Sequence, residues 1–383
     1  MNFILKFHAE HTGGHVGQLK SIQVLRALAA IAVMFAHLHG IEARQASDGP
    51  LLSSAWISGV SGVDLFFVIS GFVMVWVTRD TPAGRTEAAR FLFARVTRIY
   101  PLWWLFAGAM SLYFYMIYGT PWDTESLAAL VVSGPEHLWK SFLLIPHDAF
   151  PVLVLGWTLM HEMYFYLVFT LILLWPERYR PYAFLAWAGI IAIAASAKMT
   201  GFYASDLLSL ALFPMTLEFL FGVAAGYALK HGLTQFKWPA LGLGLIWLIA
   251  AINLIDFEST KAGLPLVRTL AFGPAFALLT YAIVALEQTT RLGMHLPPLL
   301  VRIGDWSYSL YLGHLLVISA VARIFFGFVD QPGLWDNALF LALGMVIAIA
   351  ASALTYEMFE KPLLNRARKL RSKWFDLSTN PKK

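Results

Sequence analysis

The sequence predicts an all-α fold: a polytopic membrane helical bundle of about ten transmembrane helices, with both termini in the cytoplasm. Three observations carry this. Of 383 residues, 58% are hydrophobic and only 13% are charged, with 29 Phe, 14 Trp and 14 Tyr; an average soluble chain carries about 25% charged residues. Mean hydropathy is +0.65. Apolar stretches of the roughly 20 residues needed to cross hydrocarbon recur along the chain. The cations outside those stretches fall 21 to one side and four to the other, which orients a membrane protein with its positive side inside. Disorder, a disulfide scaffold and a nucleic-acid-binding module are excluded by the same composition. With no cysteine, the chain has no disulfide, thiolate metal site or thiol nucleophile.

In chain order the spans fall at about 22–40, 56–77, 101–118, 155–175, 183–199, 207–229, 238–255, 264–286, 307–328 and 338–358. Residues 119–154 are only patchily apolar. They read as an outer loop with several prolines and one short interfacial helix at Ser126 to Ser133. Residues 1–20 read as a cytoplasmic tail, 21–365 as the membrane domain and 366–383 as a basic cytoplasmic tail without fixed structure. The apolar run after residue 20 contains Arg26 and lacks a small-residue cleavage site, so no signal-peptide processing is expected.

Charge inside a span is costly and therefore marks candidate function, the alternative being a buried ion pair or a snorkelling end residue. Arg26 and His37 stand eleven residues apart in the first span. At 100° per residue that is three turns plus about 20°, so they share a face, about 16 Å apart along the axis. Asp64 falls in the outer half of the second span, with Ser70 deeper. Glu162, in Trp157-Thr-Leu-Met-His161-Glu162, sits near the outer end of the fourth. Topology thus brings His37, Asp64 and Glu162 to similar depth, and a histidine with a carboxylate is suited to general-base work on a hydroxyl. His161-Glu162 lacks the i, i+4 spacing of a zinc helix, and no metal is expected. At the cytoplasmic end, Arg95 and Arg98 share a helix face just before the third span. Their guanidinium groups suit a polyanion, whereas Arg79 and Arg85 read as topogenic charge. Ser307, Tyr311 and His314 recur at helical spacing in the inner half of the ninth span, as a ligand face or as interhelical glue.

These segments resemble the acyltransferase-3 family of integral membrane O-acyltransferases. SIQVLRALAAIAVMFAHL around Arg26 and His37, SGVDLFFVISGF (Ser61 to Phe72), RVTRIYP (Arg95 to Pro101), WTLMHEMYFY (Trp157 to Tyr166), SYSLYLGH (Ser307 to His314) and Glu360-Lys361-Pro362 follow the family's order over about residues 20–365. The Ser-Ile-Gln-Val-Leu-Arg start, in place of the commoner Asp-Gly-Leu-Arg, is similar to the exopolysaccharide-modifying branch. The resemblance implies a multi-pass protein of the bacterial inner membrane and an acyl-CoA donor, most often acetyl-CoA, from the cytoplasm. The acceptor it implies is a hydroxyl on a polysaccharide or lipid-linked glycan. It makes His37 the essential base, Arg26 its paired arginine, Arg95 and Arg98 contacts for CoA phosphates, and Glu162 an acidic partner.

The expected mechanism follows. Acyl-CoA docks its phosphates at Arg95 and Arg98, and its pantetheine arm of roughly 15–20 Å runs past Arg26 toward His37. His37, oriented by Glu162 or Asp64, deprotonates a sugar hydroxyl that attacks the thioester. Catalytic candidates are therefore His37, Glu162 and Asp64; donor-binding candidates are Arg26, Arg95, Arg98, Ser70, Tyr311 and His314. An acyl-enzyme would need His37 or Ser70, and direct transfer is simpler. A transporter or flippase of a glycan or small anion is the alternative, and it would call for inverted repeats, of which the sequence shows no clear sign.

Overall fold

The computed structural model describes residues 19–46, 49–130, 132–197, 205–255, 265–291, 295–329 and 333–375. Every regular element among the described residues is helical. In order they are α1 (Lys20–Gln45), a 3-10 turn (Ser54–Ser61) leading into α2 (Gly62–Val77), α3 (Arg85–Tyr118), α4 (Thr124–Leu130), α5 (Gly134–Leu143), α6 (Gly156–Leu173), α7 (Arg180–Ser196), α8 (Leu207–Ala211), α9 (Thr216–Lys230), α10 (Lys237–Leu254), α11 (Pro265–Thr289), α12 (Pro298–Phe326), α13 (Leu334–Thr355), a π turn (Tyr356–Glu360) and α14 (Lys361–Phe375). Each predicted span falls on one of these helices, the sixth on α8 and α9 together. Among the described residues, seven helical segments are long and apolar enough to cross a membrane. Of the other three, α7 has only 17 residues, while α3 and α6 mix Trp, Tyr, His or Glu into their apolar sequence. The bilayer explains why every described element is helical: backbone polar groups in hydrocarbon must be satisfied within their own segment.

Three local expectations change. The loop at 119–154 holds two helices, not one over 126–133. Gly119, at φ +72°, supplies the left-handed residue that ends α3; Asp123 then accepts from the amides of Glu125 and Ser126 to start α4, and a proline opens α5. The basic segment after residue 366, expected to be without fixed structure, is helical through Phe375 because Leu364 and Ala367 are buried. The third span is part of a 34-residue helix that starts at Arg85.

The chain divides into two compact units, one of Met1–Trp76 and Phe221–Met358, the other of Val77–Leu220 and Phe359–Lys383. In the first, Ala27, Ala30, Met34 and Leu38 of α1 pack with Ile303, Leu310 and Ile318 of α12 and with Phe340 and Ala348 of α13. Backbones meet closely. A Cβ on Gly304 of α12 would lie 2.1 Å from the Gln23 carbonyl oxygen of α1, and one on Gly222 of α9 1.9 Å from that of Val68 in α2. Such small-residue contacts suit a bilayer, where apolar burial does not drive helix association. Glu287 of α11 caps α1, accepting from the Lys20 amide (2.8 Å), the Ser21 amide (3.0 Å) and the Ser21 hydroxyl.

In the second unit α6 lies antiparallel to α3. Phe91 meets Tyr166 and Phe169, and Gly156 admits the Trp103 ring, which a Cβ would approach to 2.4 Å. The stretch of α3 that packs on α6 is therefore 91–103, which includes Arg95 and Arg98, and not 101–118 alone. Phe165 stacks on Phe219 (4.4 Å) and on Trp187 (5.8 Å). The 119–154 segment is pinned back on α3 by bonds from Tyr100 to the Leu143 carbonyl (2.8 Å) and from Trp103 to that of Ser141 (3.2 Å).

Beneath that pin is a buried histidine pair. His147 donates Nδ1–H to the Ile145 carbonyl at 3.0 Å, which leaves its Nε2 to accept from His137 Nδ1 at 2.9 Å. The His147 ring is thus neutral. Burial first, and His147 second, hold the His137 pKa down to about 4, and burial lowers that of His147 too. Below the unfolded value of 6.5 the unfolded segment binds protons that the folded one refuses, so stability is lost as pH falls from 6.5 toward about 4. Amide exchange over residues 134–152, corrected for intrinsic rate, should accelerate across that window. Replacing both histidines by Gln should flatten the response.

Candidate functional site

Within the first unit, the expected residues of α1 and α12 face each other along one line. Arg26 donates from Nε to the Ser307 hydroxyl at 3.0 Å, and that hydroxyl donates to the Gly304 carbonyl at 2.7 Å. The Arg26 guanidinium lies 5.7 Å from the Phe66 ring, which meets Tyr311 edge-on at 5.7 Å. Tyr311 lies 6.2 Å from His314, and the His314 ring lies 5.0 Å from that of His37. Ser70 stands one turn beyond Phe66 on α2 and is half-buried.

The hydrogen bonds assign the histidine tautomers. His314 Nδ1 is 2.9 Å from the Leu310 carbonyl, so Nδ1 carries the proton and Nε2 accepts. His37 Nδ1 has two acceptors, the Val33 carbonyl at 2.9 Å and His314 Nε2 at 3.2 Å. It is therefore the protonated nitrogen, and His37 Nε2 keeps its lone pair. A buried neutral imidazole, His314 at 1% exposure, orients a half-buried one and fixes its basic nitrogen. Sequence reasoning looked for that partner among the carboxylates. The signal for His314 was its helical spacing from Ser307 and Tyr311, but its pairing with His37 required the register of two helices some 280 positions apart.

Asp64 is fully buried and held by Arg268 of α11, whose Nη2 approaches at 2.6 Å and Nε at 3.1 Å; Nη2 also donates to the Val60 carbonyl at 3.2 Å. Arg268 was legible as a charge within the eighth span but was not singled out.

In the second unit, Glu162 accepts from Tyr166 one turn on. Arg95, at 2% exposure, lies 5.4 Å from the Phe91 ring and 5.7 Å from that of Tyr166. Its Nε and Nη1 have no hydrogen-bond partner among the described residues. Arg98 forms a buried ion pair with Glu360 of the π turn. Arg95 and Glu162 were expected at opposite depths. They stand instead on facing turns of α3 and α6, both beside Tyr166, because α6 packs along the charged part of α3. His161 is buried between Trp157 (5.7 Å) and Phe213 (4.7 Å).

Asp64 is fully buried and Arg268 half-buried; removing the arginine leaves an unpaired buried carboxylate, a loss of up to about 3–5 kcal/mol where both partners are buried. Arg268→Met should lower the thermal midpoint of the purified protein sharply. Asp64→Asn added to Arg268→Met should recover most of the loss, and a double variant no more stable than the single would show that the pairing is not what stabilises this site.

Comparison with known proteins matches the family model described as "Acyltransferase domain" over residues 19–357. The exopolysaccharide production protein ExoZ of Rhizobium meliloti (strain 1021) is 34% identical, covering 81% of this chain and 91% of that protein. Acyltransferase MdmB of Streptomyces mycarofaciens is 29% identical, covering 92% and 94%, and nodulation protein 10 of Rhizobium leguminosarum bv. viciae is 27% identical, covering 93% and 95%. No solved structure matches. A helical membrane bundle that matches this family model over almost its whole length belongs to the family: the chain is a membrane-embedded O-acyltransferase.

Proposed function

We propose that this acyltransferase moves an acyl group, acetyl before any other, from cytoplasmic acyl-CoA to a hydroxyl of a cell-envelope or extracellular polysaccharide at the bacterial inner membrane. The exopolysaccharide-production role in the name of the Rhizobium meliloti relative supports the polysaccharide acceptor, with a lipid-linked glycan as its membrane-bound form. The observation that carries the chemistry is the His37–His314 pair, which leaves His37 Nε2 as the basic nitrogen.

On this reading His37 Nε2 takes the acceptor's hydroxyl proton as that oxygen attacks the thioester carbonyl. The carbon–sulfur bond then breaks, and the imidazolium returns the proton to the departing thiolate, so the pair ends as it began. His314, proton-bound at Nδ1, remains the acceptor throughout and keeps the His37 ring in one orientation. Arg26, anchored by Ser307 and flanked by Phe66, offers a cation to the donor along this line. Of the two helix-α3 arginines, Arg95 is the stronger candidate for CoA phosphate, since its Nε and Nη1 are unpartnered among the described residues while Arg98 is ion-paired with Glu360.

The test uses the purified protein in lipid nanodiscs with radiolabelled acetyl-CoA and the host's polysaccharide, following CoA release and label transfer. His37→Ala should lower turnover about 10²- to 10⁴-fold, the usual contribution of a general base, without lowering the thermal midpoint; His314→Ala should lose less. Arg95→Ala should raise KM for acetyl-CoA but leave KM unchanged for an acetyl thioester lacking the nucleotide. A fully active His37→Ala enzyme would overturn the base assignment. Folded protein that consumes no acyl-CoA would point to transport.

A further inference from the structure

The basic helix α14 is not used by the reaction. It carries Lys361, Arg366, Arg368, Lys369, Arg371 and Lys373 and no acidic residue. Charge after a last span commonly serves topology alone, but this charge is built into a folded and amphipathic element. Leu364 and Ala367 are buried, and Trp374 and Phe375 meet Phe93 of α3 at 5.4 and 6.1 Å. Opposite that packed face, Lys369, Lys373 and Arg366 are exposed and fall within about 60° of one another on a 100° wheel. Between the cationic strip and the packed face stand Leu370, 44% exposed, and Trp374, 56% exposed.

The helix also runs across α3. Glu360 pairs with Arg98 and Trp374 with Phe93. The fourteen residues from 360 to 374 cover about 21 Å of axis, against about 7.5 Å for the five from 93 to 98. A helix that crosses a membrane-embedded neighbour, with cations on one edge and Leu and Trp beside them, has the build of an interfacial helix.

We propose that α14 is a docking strip for the anionic phospholipid headgroups of the cytoplasmic leaflet. Lys369, Lys373 and Arg366 contact the phosphates, while Leu370 and Trp374 enter the headgroup–acyl boundary. A basic residue near such a surface contributes about 1 kcal/mol, so three contribute on the order of a hundredfold in local preference, reduced by salt.

The chain has no cysteine, so Ser372→Cys gives a single labelling site on α14. The full-length protein carrying a fluorophore there is placed in nanodiscs containing headgroup-spin-labelled phosphatidylglycerol or phosphatidylcholine at equal mole fraction. Quenching should be at least threefold stronger with phosphatidylglycerol. It should fall to parity in the R366Q/K369Q/K373Q variant and weaken in 0.5 M salt, while the thermal midpoint of the variant stays unchanged. Equal quenching by the two lipids, or a preference that survives the triple substitution, overturns the proposal. A preference abolished by added CoA would also overturn it, by assigning the strip to the donor's phosphates. Acetyl transfer is not read in this experiment, so its failure leaves the proposed reaction untouched.

Discussion

The contact on which the first unit depends is the meeting of α1 and α12 at Gly304, where any side chain would collide with the Gln23 backbone. One turn along, Arg26 reaches Ser307; further along, His37 reaches His314. The three contacts progress in the same direction on both helices, so a single register serves the cation at one end and the imidazole pair at the other. In hydrocarbon, where apolar burial gives little preference between helix faces, backbone proximity of this kind decides which faces meet.

The buried charges sort by how completely they are satisfied. Asp64 with Arg268 and Arg98 with Glu360 are ion pairs inside their own units, and Glu162 has the Tyr166 hydroxyl. Each answers the cost of burying a charge with a partner. Arg95 is held by two aromatic faces and by the Tyr166 hydroxyl, with Nε and Nη1 unpartnered among the described residues. Aromatic quadrupoles offset part of the desolvation but leave donors available to an anion.

Much of this was legible in the sequence because the bilayer is a strict solvent. The helical spans follow from runs of about 20 apolar residues, and Arg26 and His37 share a face by periodicity alone. Three things were not legible. The helices at 124–130 and 134–143 depend on local caps and on aromatic anchors contributed by α3. The fixed structure of 367–375 depends on the docking of Trp374 and Phe375 against Phe93. The choice of Arg268 for Asp64, and of His314 for His37, is set by interhelical register, which no single-helix pattern contains. Hydropathy placed the third span at 101–118, whereas the stretch of α3 packed on α6 begins at Phe91, because aromatic rings and Glu360 let Arg95 and Arg98 sit among apolar neighbours.

His37 and His314 are each suspended from a carbonyl one turn earlier in their own helix, Val33 and Leu310. Among the described residues, no loop residue hydrogen-bonds either ring. Loops that meet an acceptor can therefore lengthen, shorten or change composition while the two rings stay where they are. On the proposed function, the same pair of helices serves different acceptors as one tool handle takes different heads, with selectivity altered in the loops and the two imidazoles left undisturbed.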